Sequence, residues 1–150
     1  TKDIEVAPYD AFKPYILPRY TTEGASGLDL FSSNEKENII LKPKEIKLVD
    51  TNISVEIPNG MEAQIRSRSG LSLKHGIFVL NSPGTIDSDY RGPIGIILAN
   101  FSDKAFTIGP FTRIAQMVFS KVVKVNLVET PSLNKTKRDA GGFGSTGKGQ

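Results

Sequence analysis

The sequence predicts an all-β domain, because alternation of apolar and polar residues dominates the chain and helical periodicity is scarce. Short runs of β-branched and aromatic residues recur along most of its length, separated by glycine, proline, asparagine or serine-aspartate turns. Glycine and proline together account for 23 of the 150 residues, which favours many short strands joined by turns. This spacing predicts an antiparallel barrel or sandwich.

Each predicted strand is a short run bounded by turn residues. The first begins after Gly27, and the next two, at residues 45–49 and 53–57, alternate regularly before the turn residues Pro58-Asn59-Gly60. Residues 70–75 predict the one helical turn, closed by Gly76 in the position where glycine commonly ends a helix. The remaining predicted strands, in chain order, are residues 61–66, 77–80, 94–101, 105–108, 113–119 and 121–128.

The composition changes once, after Thr130-Pro131. Strand-forming residues stop there, and Gly, Ser, Thr and Lys take over. Because such a segment cannot bury enough apolar surface to fold alone, we predict a β-barrel domain at residues 1–130 and a flexible glycine-rich arm or lid at residues 131–150. The arm carries four Lys or Arg against one Asp, so it holds the whole formal charge of +3, whereas residues 1–130 carry 15 charges of each sign.

The composition excludes several kinds of chemistry. The chain has no cysteine, which excludes disulfides, thiol nucleophiles and thiolate metal sites. His75 is the only histidine, so a multi-histidine zinc site is excluded and a Ser-His-Asp triad would depend on this one residue. For His75 itself, a structural or helix-end role is favoured over catalysis.

Neither a membrane span nor a secretory signal is predicted. The longest apolar stretches fall far below the roughly 20 residues needed to cross a bilayer, and the first residues lack the basic and apolar regions of a signal peptide. The sequence begins with Thr rather than Met, which leaves a removed leader open. The expectation is a cytoplasmic protein without a membrane partner.

Two segments in the first half of the chain combine glycine with charged residues. Gly27 precedes Asp29 at the start of a strand, and a turn with a solvated carboxylate would explain that pair equally well. Residues 66–70 hold two arginines, two serines and Gly70. Guanidinium groups and backbone N–H groups suit a phosphate, so this segment predicts either an anion site or an exposed polar loop.

The segment at residues 81–92 is the richest in polar groups. If residues 87–90 are extended, Asp87 and Asp89 share one face of the strand and Tyr90 points to the other. Two carboxylates this close would interact, which could hold one of them as a base or help to bind a divalent cation. The alternative is a tight turn, for which Ser-Asp is ordinary chemistry.

The last two segments are an interrupted strand and the arm. Arg113 and Gln116 interrupt the apolar strand 113–119, and an edge strand with polar residues outward would explain both. Residues 138–149 come close to the spacing of a phosphate-binding P-loop, but Gly149 stands where Ser or Thr is required, and no strand precedes the segment. We therefore reject a P-loop and predict a flexible cationic flap whose Phe143 could stack on the ring of an anionic ligand.

Taken together, in this order and spacing, the five segments resemble the five motifs of the trimeric deoxyuridine triphosphate nucleotidohydrolases (dUTPases). The similarity spans about residues 24–147, and residues 84–92 and 141–147 are its most specific parts. The resemblance implies an all-β, distorted jelly-roll barrel that forms a homotrimer, with a flexible C-terminal tail exchanged between subunits. It also implies Mg²⁺-dependent hydrolysis of dUTP to dUMP and pyrophosphate by attack of water on the α-phosphorus.

The resemblance further implies a role for each matching residue. Asp87 matches the carboxylate that orients and deprotonates the attacking water, and Asp29 matches an acid that contacts the metal through water. Asn81 corresponds to a position that reads the uracil edge, Tyr90 to the aromatic ring beneath the deoxyribose, and Phe143 to the ring that closes over uracil. The other matching positions in the substrate site are Arg68, Ser69, Gly70, Gly84, Thr85, Ile86, Gln116, Arg138, Gly144, Ser145 and Thr146.

Two positions depart from the family pattern. Ser67 stands where proline is usual, which we expect to loosen its loop. Asp139 stands where glycine is usual, and its carboxylate beside Arg138 is expected to weaken the grip of the tail on phosphate. Neither departure touches the proposed catalytic residue, so the expected effect is on affinity rather than on function.

Three other functions were weighed against hydrolysis of dUTP. Deamination of dCTP on the same fold would require a glutamate acid/base in the base pocket, and residues 76–90 contain none. A catalytically silent barrel used for binding or assembly would have no need of Asp87, Tyr90 or Phe143. Nucleic-acid binding would fit the isoelectric point of about 9.1, but the neutral body offers no broad basic face.

Overall fold

Short antiparallel strands and one helix make up the chain in the computed structural model, which describes residues 2–149. Helix α1 (Ser69–His75) lies between the sixth and seventh strands. The strands are β1 (Glu5–Pro8), β2 (Leu28–Phe31), β3 (Ile39–Leu41), β4 (Ile46–Asp50), β5 (Ile53–Glu56), β6 (Met61–Arg66), β7 (Ile77–Val79), β8 (Gly84–Ile86), β9 (Gly95–Asn100), β10 (Phe106–Ile108) and β11 (Arg113–Lys121). The predicted all-β class is confirmed.

The strands pair into four antiparallel sheets. The largest has the order β2-β11-β6-β8, a second has the order β4-β9-β7, and β1-β5 and β3-β10 form two-stranded sheets. Within residues 2–149, these pairs do not close into a single hydrogen-bonded barrel. The strands are three to nine residues long, so the chain bends from one sheet into the next after only a few residues.

A single hydrophobic core lies between the sheets. Ile96 and Leu98 of β9 point into it, whereas Ile97 between them is only half-buried, as the period of two requires. Full burial of one such side chain stabilises the fold by roughly 1.5–3 kcal/mol. The largest fully buried side chains are Leu30, Leu41, Val49, Ile53, Ile57, Ile77, Ile94, Ile96, Leu98, Ile108, Ile114 and Met117.

The predicted helical turn is confirmed and begins one residue earlier than expected. Gly76 ends it with a φ of 67°, in the left-handed region, and donates its N–H to the carbonyl groups of Leu71 and Ser72. His75 lies in the last turn, where a basic residue suits the negative end of the helix dipole. No helix in residues 2–149 is long and apolar enough to cross a membrane.

The prediction of a separate strand at residues 121–128 is wrong. Strand β11 already runs from Arg113 to Lys121, and the described residues after it form no further strand. Alternation alone is not sufficient, because a strand also needs a neighbour to pair its N–H and C=O groups. The apolar side chains of this segment are consequently exposed at Val123, Val125 and Leu127.

Strands β1, β3 and β8 were not predicted. Each is only three or four residues long, which leaves too few positions to establish a period. Strand β8 also lies inside a segment rich in Ser, Pro, Gly and Asp, whose composition predicts turns. Each of these strands forms by pairing with a strand distant in sequence, β1 with β5, β3 with β10 and β8 with β6, and the local sequence does not reveal that partner.

Asn52 fixes the loop that follows β1. It is buried, with a φ of 55° in the left-handed region, and its Oδ1 accepts the N–H of Asp10 at 2.9 Å. Its Nδ2 donates to the carbonyl groups of Asp10, Lys13 and Pro14 at 3.0–3.2 Å. One amide side chain therefore bonds four backbone groups of this loop.

We expect Asn52→Ala to lower the free energy of unfolding by about 3 kcal/mol, because it leaves these backbone groups unpaired and places alanine at a positive φ. Chemical denaturation measures the change. Ser33→Ala is the control, because its hydroxyl makes one bond, to the carbonyl of Asp50 at 3.1 Å, and its loss should cost under about 1 kcal/mol. Equal losses in the two variants would contradict the role of Asn52.

Candidate active site

Five of the predicted site residues line one cavity of about 650 Å³, formed beside the segment between β7 and β9: Asn81, Thr85, Ile86, Asp87 and Tyr90. Gly84, the sixth predicted residue of this segment, is buried behind the cavity wall. A Cβ at Gly84 would lie 3.2 Å from the Cβ of Ile65 and 3.4 Å from Nδ2 of Asn81. Glycine therefore lets β8 pack closely on β6 while Asn81 stays beside it.

Strand β8 is an edge strand. It pairs with β6 on one side and has no strand partner on the other among the described residues. Alternate backbone N–H and C=O groups along a free edge can bind a planar ligand that has both donors and acceptors. Thr85 and Ile86 of this edge strand line the cavity, so backbone groups without a strand partner lie beside it.

Of the two conformations left open for residues 87–90, the structure has the turn and not the extended strand. The N–H of Tyr90 donates to the carbonyl of Asp87 at 3.2 Å, so these residues form a turn, as the alternative interpretation held. Asp87 and Asp89 do not share a strand face, and only Asp87 lines the 650 Å³ cavity. Ser-Asp turn chemistry overrides the short alternation, because β8 has already ended at Ile86.

Tyr90 owes its position to a glycine. Its hydroxyl donates to the carbonyl of Pro93 at 2.9 Å, which folds the ring back over the following residues. A Cβ built at Gly92 would lie 2.4 Å from the Tyr90 Oη and 2.9 Å from its Cε2. Only glycine leaves room for the ring in this orientation.

The opposite wall of the cavity comes from the N-terminal loop, which the sequence did not indicate. Tyr9, Asp10 and Lys13 line it, and they are held there by the hydrogen bonds of Asn52. No local motif marks these residues. Their position depends on Asn52, some 40 residues away in sequence.

A second group of predicted residues surrounds Asp29 on β2. The Asp29 Oδ1 lies 3.4 Å from Nε of Arg68, and its Oδ2 lies 3.3 Å from Nε of Arg113. The hydroxyl of Thr21 also donates to Oδ2, at 2.7 Å. The Asp29 side chain is only 13% exposed, so a solvated turn carboxylate does not describe it. Ser69 follows Arg68 and opens α1.

Gln116 joins this group through the register of β11. It lies opposite Asp29 on β2 and opposite Arg66 on β6. Its Nε2 donates to the carbonyl of Ser67 at 2.9 Å. A Cβ at Gly27 would lie 2.3 Å from the Gln116 Oε1, so glycine is required there as well. The amide is thus held between the end of β6 and the start of β2.

Ser67 does not leave its loop loose in the way the departure from proline led us to expect. Its hydroxyl accepts the N–H of Val79 at 2.8 Å, which ties the loop before α1 to β7. Proline at this position could not make that bond. A side-chain hydrogen bond here replaces part of the rigidity of a proline ring.

The residues that line the cavity and the residues around Asp29 remain separate within one chain. In the described structure, no arginine lines the 650 Å³ cavity, and neither Asp29 nor Gln116 does. The predicted tail residues also stay apart, because the hydrogen bonds found for residues 131–149 all lie within residues 130–147. Exposed throughout are Arg138, Phe143, Gly144, Ser145 and Thr146.

A side-chain hydrogen bond and a residue with positive φ organise the tail locally. The Arg138 Nε donates to the carbonyl of Gly141 at 2.9 Å, which closes a small loop. Asp139 has a φ of 48°, a conformation that aspartate adopts more readily than most residues and glycine adopts freely. The backbone explains why glycine is usual at this position in the family that the motifs resemble.

Comparison with known proteins settles the family. A family model described as dUTPase matches residues 13–147. The chain belongs to the dUTPase family. The deoxyuridine 5'-triphosphate nucleotidohydrolase of Thermoanaerobacter sp. (strain X514) is 51% identical over 144 residues, covering 96% of this chain and 97% of that protein. That of Chlamydia pneumoniae is 58% identical over 132 residues, covering 87% and 90% respectively.

Solved dUTPase structures share the fold. The Staphylococcus bacteriophage 80alpha dUTPase with dUPNHPP has a TM-score of 0.87 and 25% identity, covering 99% of this chain and 100% of that one. The dUTPase from phage phi11 of S. aureus has a TM-score of 0.78 and 21% identity, covering 90% and 100%. The predicted jelly-roll fold class is confirmed, although the strands of this chain pair as four sheets.

Sequence reasoning missed several residues that contact the predicted site residues. Arg113 was noted only as a polar interruption of a strand, and Thr21 and Gly92 were not singled out. Arg113 reaches Asp29 because the pairing of β11 with β2 shifts register between Arg113 and Ala115. Such a bulge has no signature in this sequence, so an inspection of motif spacing alone could not have found the contact.

We expect Gly92→Ala to displace Tyr90 and weaken dUMP binding about tenfold, since loss of an aromatic contact is worth roughly 1 kcal/mol. Isothermal titration calorimetry measures the dissociation constant. Gly24→Ala is the matched control, because a Cβ at Gly24 meets nothing within 4 Å. Unchanged binding by the Gly92 variant would show that the orientation of Tyr90 is unimportant for the nucleotide.

Proposed function

We propose that this chain hydrolyses dUTP to dUMP and pyrophosphate, the reaction that the names of its relatives imply, and so supplies dUMP and keeps uracil out of DNA. The observation that carries the proposal is the convergence of five predicted residues on one cavity in a chain 51–58% identical to dUTP nucleotidohydrolases. The proposed ring-binding residues, on the edge of β8 and at Asn81, lie in the same cavity as the Asp87 carboxylate. The attacking nucleophile is water, and its target is the α-phosphorus.

Asp87 is the proposed general base. It is an exposed carboxylate at the rim of the cavity, where water reaches it freely. A carboxylate accepts the proton of a water molecule as that water attacks, and it also orients the oxygen lone pair. The turn that Asp87 begins fixes its carbonyl against the N–H of Tyr90 at 3.2 Å, which limits its backbone motion relative to the ring-binding wall.

The backbone edge of β8 and the side chain of Asn81 are proposed to select uracil over other bases. Uracil presents an acceptor where cytosine presents an amino donor. A cavity that meets uracil with backbone groups would leave those groups mismatched against cytosine, which costs far more than a missing apolar contact. Tyr90, oriented by Gly92, is the proposed surface beneath the deoxyribose, where it would leave no room for a 2′-hydroxyl.

The residues present fit Mg²⁺ that arrives with the triphosphate. Residues 2–149 contain no group of three His, Cys, Asp or Glu side chains able to hold a metal by themselves. Mg²⁺ favours phosphate oxygens and water. A carboxylate offers about four acceptor positions, and three donors face Asp29, so one position remains for a water-mediated contact. When bound, the metal would neutralise charge on the phosphates.

The phosphate contacts are proposed to come from neighbouring copies in a homotrimer. Arg68, Ser69, Gly70 and Gln116 lie outside the cavity of their own chain, and the tail makes no hydrogen bond to its own barrel in the described residues. Exposed apolar residues on β4 and after β11 supply surface for association: Ile46, Leu48, Val123, Val125 and Leu127. Shared sites would bring these groups to the cavity.

Incubation with dUTP, dCTP, dTTP and UTP in the presence of Mg²⁺ tests the proposal directly. We expect dUMP and pyrophosphate from dUTP alone, separated by anion-exchange chromatography, because only uracil on deoxyribose suits the proposed contacts. Deamination of dCTP, or no turnover of dUTP, would overturn the proposed function. Size-exclusion chromatography with light scattering determines in parallel whether the chain is a trimer.

Asp87→Asn should reduce kcat by at least about 100-fold while dUMP binding changes little, because the amide cannot accept a proton. Single-turnover kinetics separates the chemical step from binding. Asp89→Asn is the matched control, since Asp89 is an exposed carboxylate two residues further on that does not line the 650 Å³ cavity. Equal loss in the two variants would remove Asp87 from the proposed role.

Deletion of residues 138–150 should leave the melting temperature and oligomeric state nearly unchanged, because the described tail makes no hydrogen bond to the barrel of its own chain. We expect kcat/KM for dUTP to fall by roughly 100-fold through lost closure over the substrate. Deletion of residues 148–150 alone serves as the control. Full activity of the longer deletion would contradict a lid function.

A further inference from the structure

Arg113 occupies an unusual position for a residue without an assigned role. Its Nε lies 3.3 Å from the Asp29 Oδ2, and this buried nitrogen has no hydrogen-bond partner of good geometry among the described atoms. Its guanidinium also lies over the ring of Phe31, 5.5 Å from the centroid. The side chain is therefore held from two sides without saturating its donors.

A β-bulge brings Arg113 to the residues around Asp29. These residues, Asp29, Arg68, Ser69 and Gln116, are called the phosphate-side group below. On a regular strand, Arg113 and Gln116 would point to opposite faces, because they are three residues apart. The register shift between Arg113 and Ala115 changes this, so that Gln116 lies opposite Asp29 while Arg113 also reaches the Asp29 carboxylate. Bulges next to active sites commonly redirect one side chain in this way.

Asp29 connects Arg113 to Arg68. Arg68 meets one carboxylate oxygen at 3.4 Å and Arg113 meets the other at 3.3 Å. Arg68 Nη1 also donates to the backbone carbonyl of Arg113 at 3.5 Å. Two guanidinium groups share one carboxylate, so the trio keeps a net positive charge. A carboxylate placed only to neutralise Arg68 would require no second arginine.

The Arg68 and Arg113 side chains are 34% and 38% exposed, so solvent partly screens their ion pairs with Asp29 and limits what these pairs contribute to folding. These ion pairs contribute more to binding than to folding. They fix the long Arg68 side chain in one rotamer, so its conformational entropy is already lost before the ligand binds. Ser69, which follows Arg68, and Gln116 already have fixed backbone positions, whereas the Arg68 guanidinium depends on what lies beside it. Asp29 and Arg113 supply those neighbours.

We propose that Arg113 is a positioning residue for the triphosphate: acting through Asp29, its side chain holds the Arg68 guanidinium ready for the phosphate chain. This inference rests on the proposed function, because it assumes that Arg68 meets the phosphates of dUTP. Arg113 itself acts through Arg68 and does not touch the reacting atoms.

The test compares nucleotides with and without the outer phosphates. Arg113→Met should weaken binding of the imido analogue dUpNHpp about tenfold by calorimetry, whereas dUMP binding should change less than about twofold, because dUMP lacks the β- and γ-phosphates. In steady-state assays with dUTP, KM should rise by a similar factor while kcat stays within about twofold, the signature of lost ground-state positioning.

Arg19→Met is the matched control. Arg19 also lies over the Phe31 ring, 5.3 Å from the centroid, and its loss removes the same charge, but its side chain makes no ion pair with Asp29. We expect dUpNHpp binding to weaken less than about threefold in this variant. An equal effect of the two substitutions would mean that net charge alone matters, and would overturn the inference.

A double-mutant cycle separates positioning from direct contact. In an Arg68→Met background, Arg113→Met should add less than about twofold to the loss of dUpNHpp affinity, because the group that it positions is already absent. Full additivity would assign Arg113 its own phosphate contact and overturn the positioning role. Equal weakening of dUMP and dUpNHpp by Arg113→Met would likewise overturn it, as a general structural effect.

Arg113→Lys covers the case in which the methionine variant does not fold. Lysine keeps the charge but not the planar fork, so we expect it to retain the melting temperature and still lose affinity for dUpNHpp severalfold. Wild-type affinity in the lysine variant would overturn the inference. Failure of the wild-type chain to turn over dUTP would instead contradict the proposed function, and the two failures are therefore distinguishable.

Discussion

The antiparallel pairing of β11 with both β2 and β6 is the constraint on which the phosphate-side group depends. Because Gln116 opposes Asp29 on one neighbour and Arg66 on the other, Asp29, Gln116 and the start of α1 meet at one level of the sheet. A slip of one residue would turn Gln116 to the opposite face. Ala115 and Met117, both fully buried on either side of Gln116, oppose such a slip, since it would expose them.

Close approach to glycine is the second constraint, and it acts in both parts of the site. At Gly27 the space of a Cβ is taken by the Gln116 amide, and at Gly92 it is taken by the Tyr90 hydroxyl. In each case a missing side chain lets a functional side chain lie flat against the backbone. The same logic explains Gly84, which lets β8 approach β6 closely.

Much of this could be predicted from the sequence, for identifiable reasons. Alternation predicted β4, β5, β6 and β9 because each is long enough or buried enough to impose its period, and the glycine after α1 marked its end. Motif order predicted the residues around the cavity. Alternation failed after Lys121, where the described residues provide no partner strand. The bulge at Arg113 and the loop held by Asn52 depend on distant partners, which local sequence does not encode.

Within one chain, the 650 Å³ cavity and the residues around Asp29 lie apart, and this separation keeps most positive charge away from the cavity. The barrel is electrically neutral, and the lining of the 650 Å³ cavity contains one lysine and three aspartates but no arginine. A triphosphate needs several positive groups, and the chain keeps them elsewhere: two arginines share Asp29, and the tail holds the entire net charge of +3. A single copy therefore offers a ring pocket without the cations for its phosphates, which favours sites assembled from several copies. In the proposed trimer, the charge of the arm would act only after the arm reaches the site, so an empty pocket would not attract every anion equally.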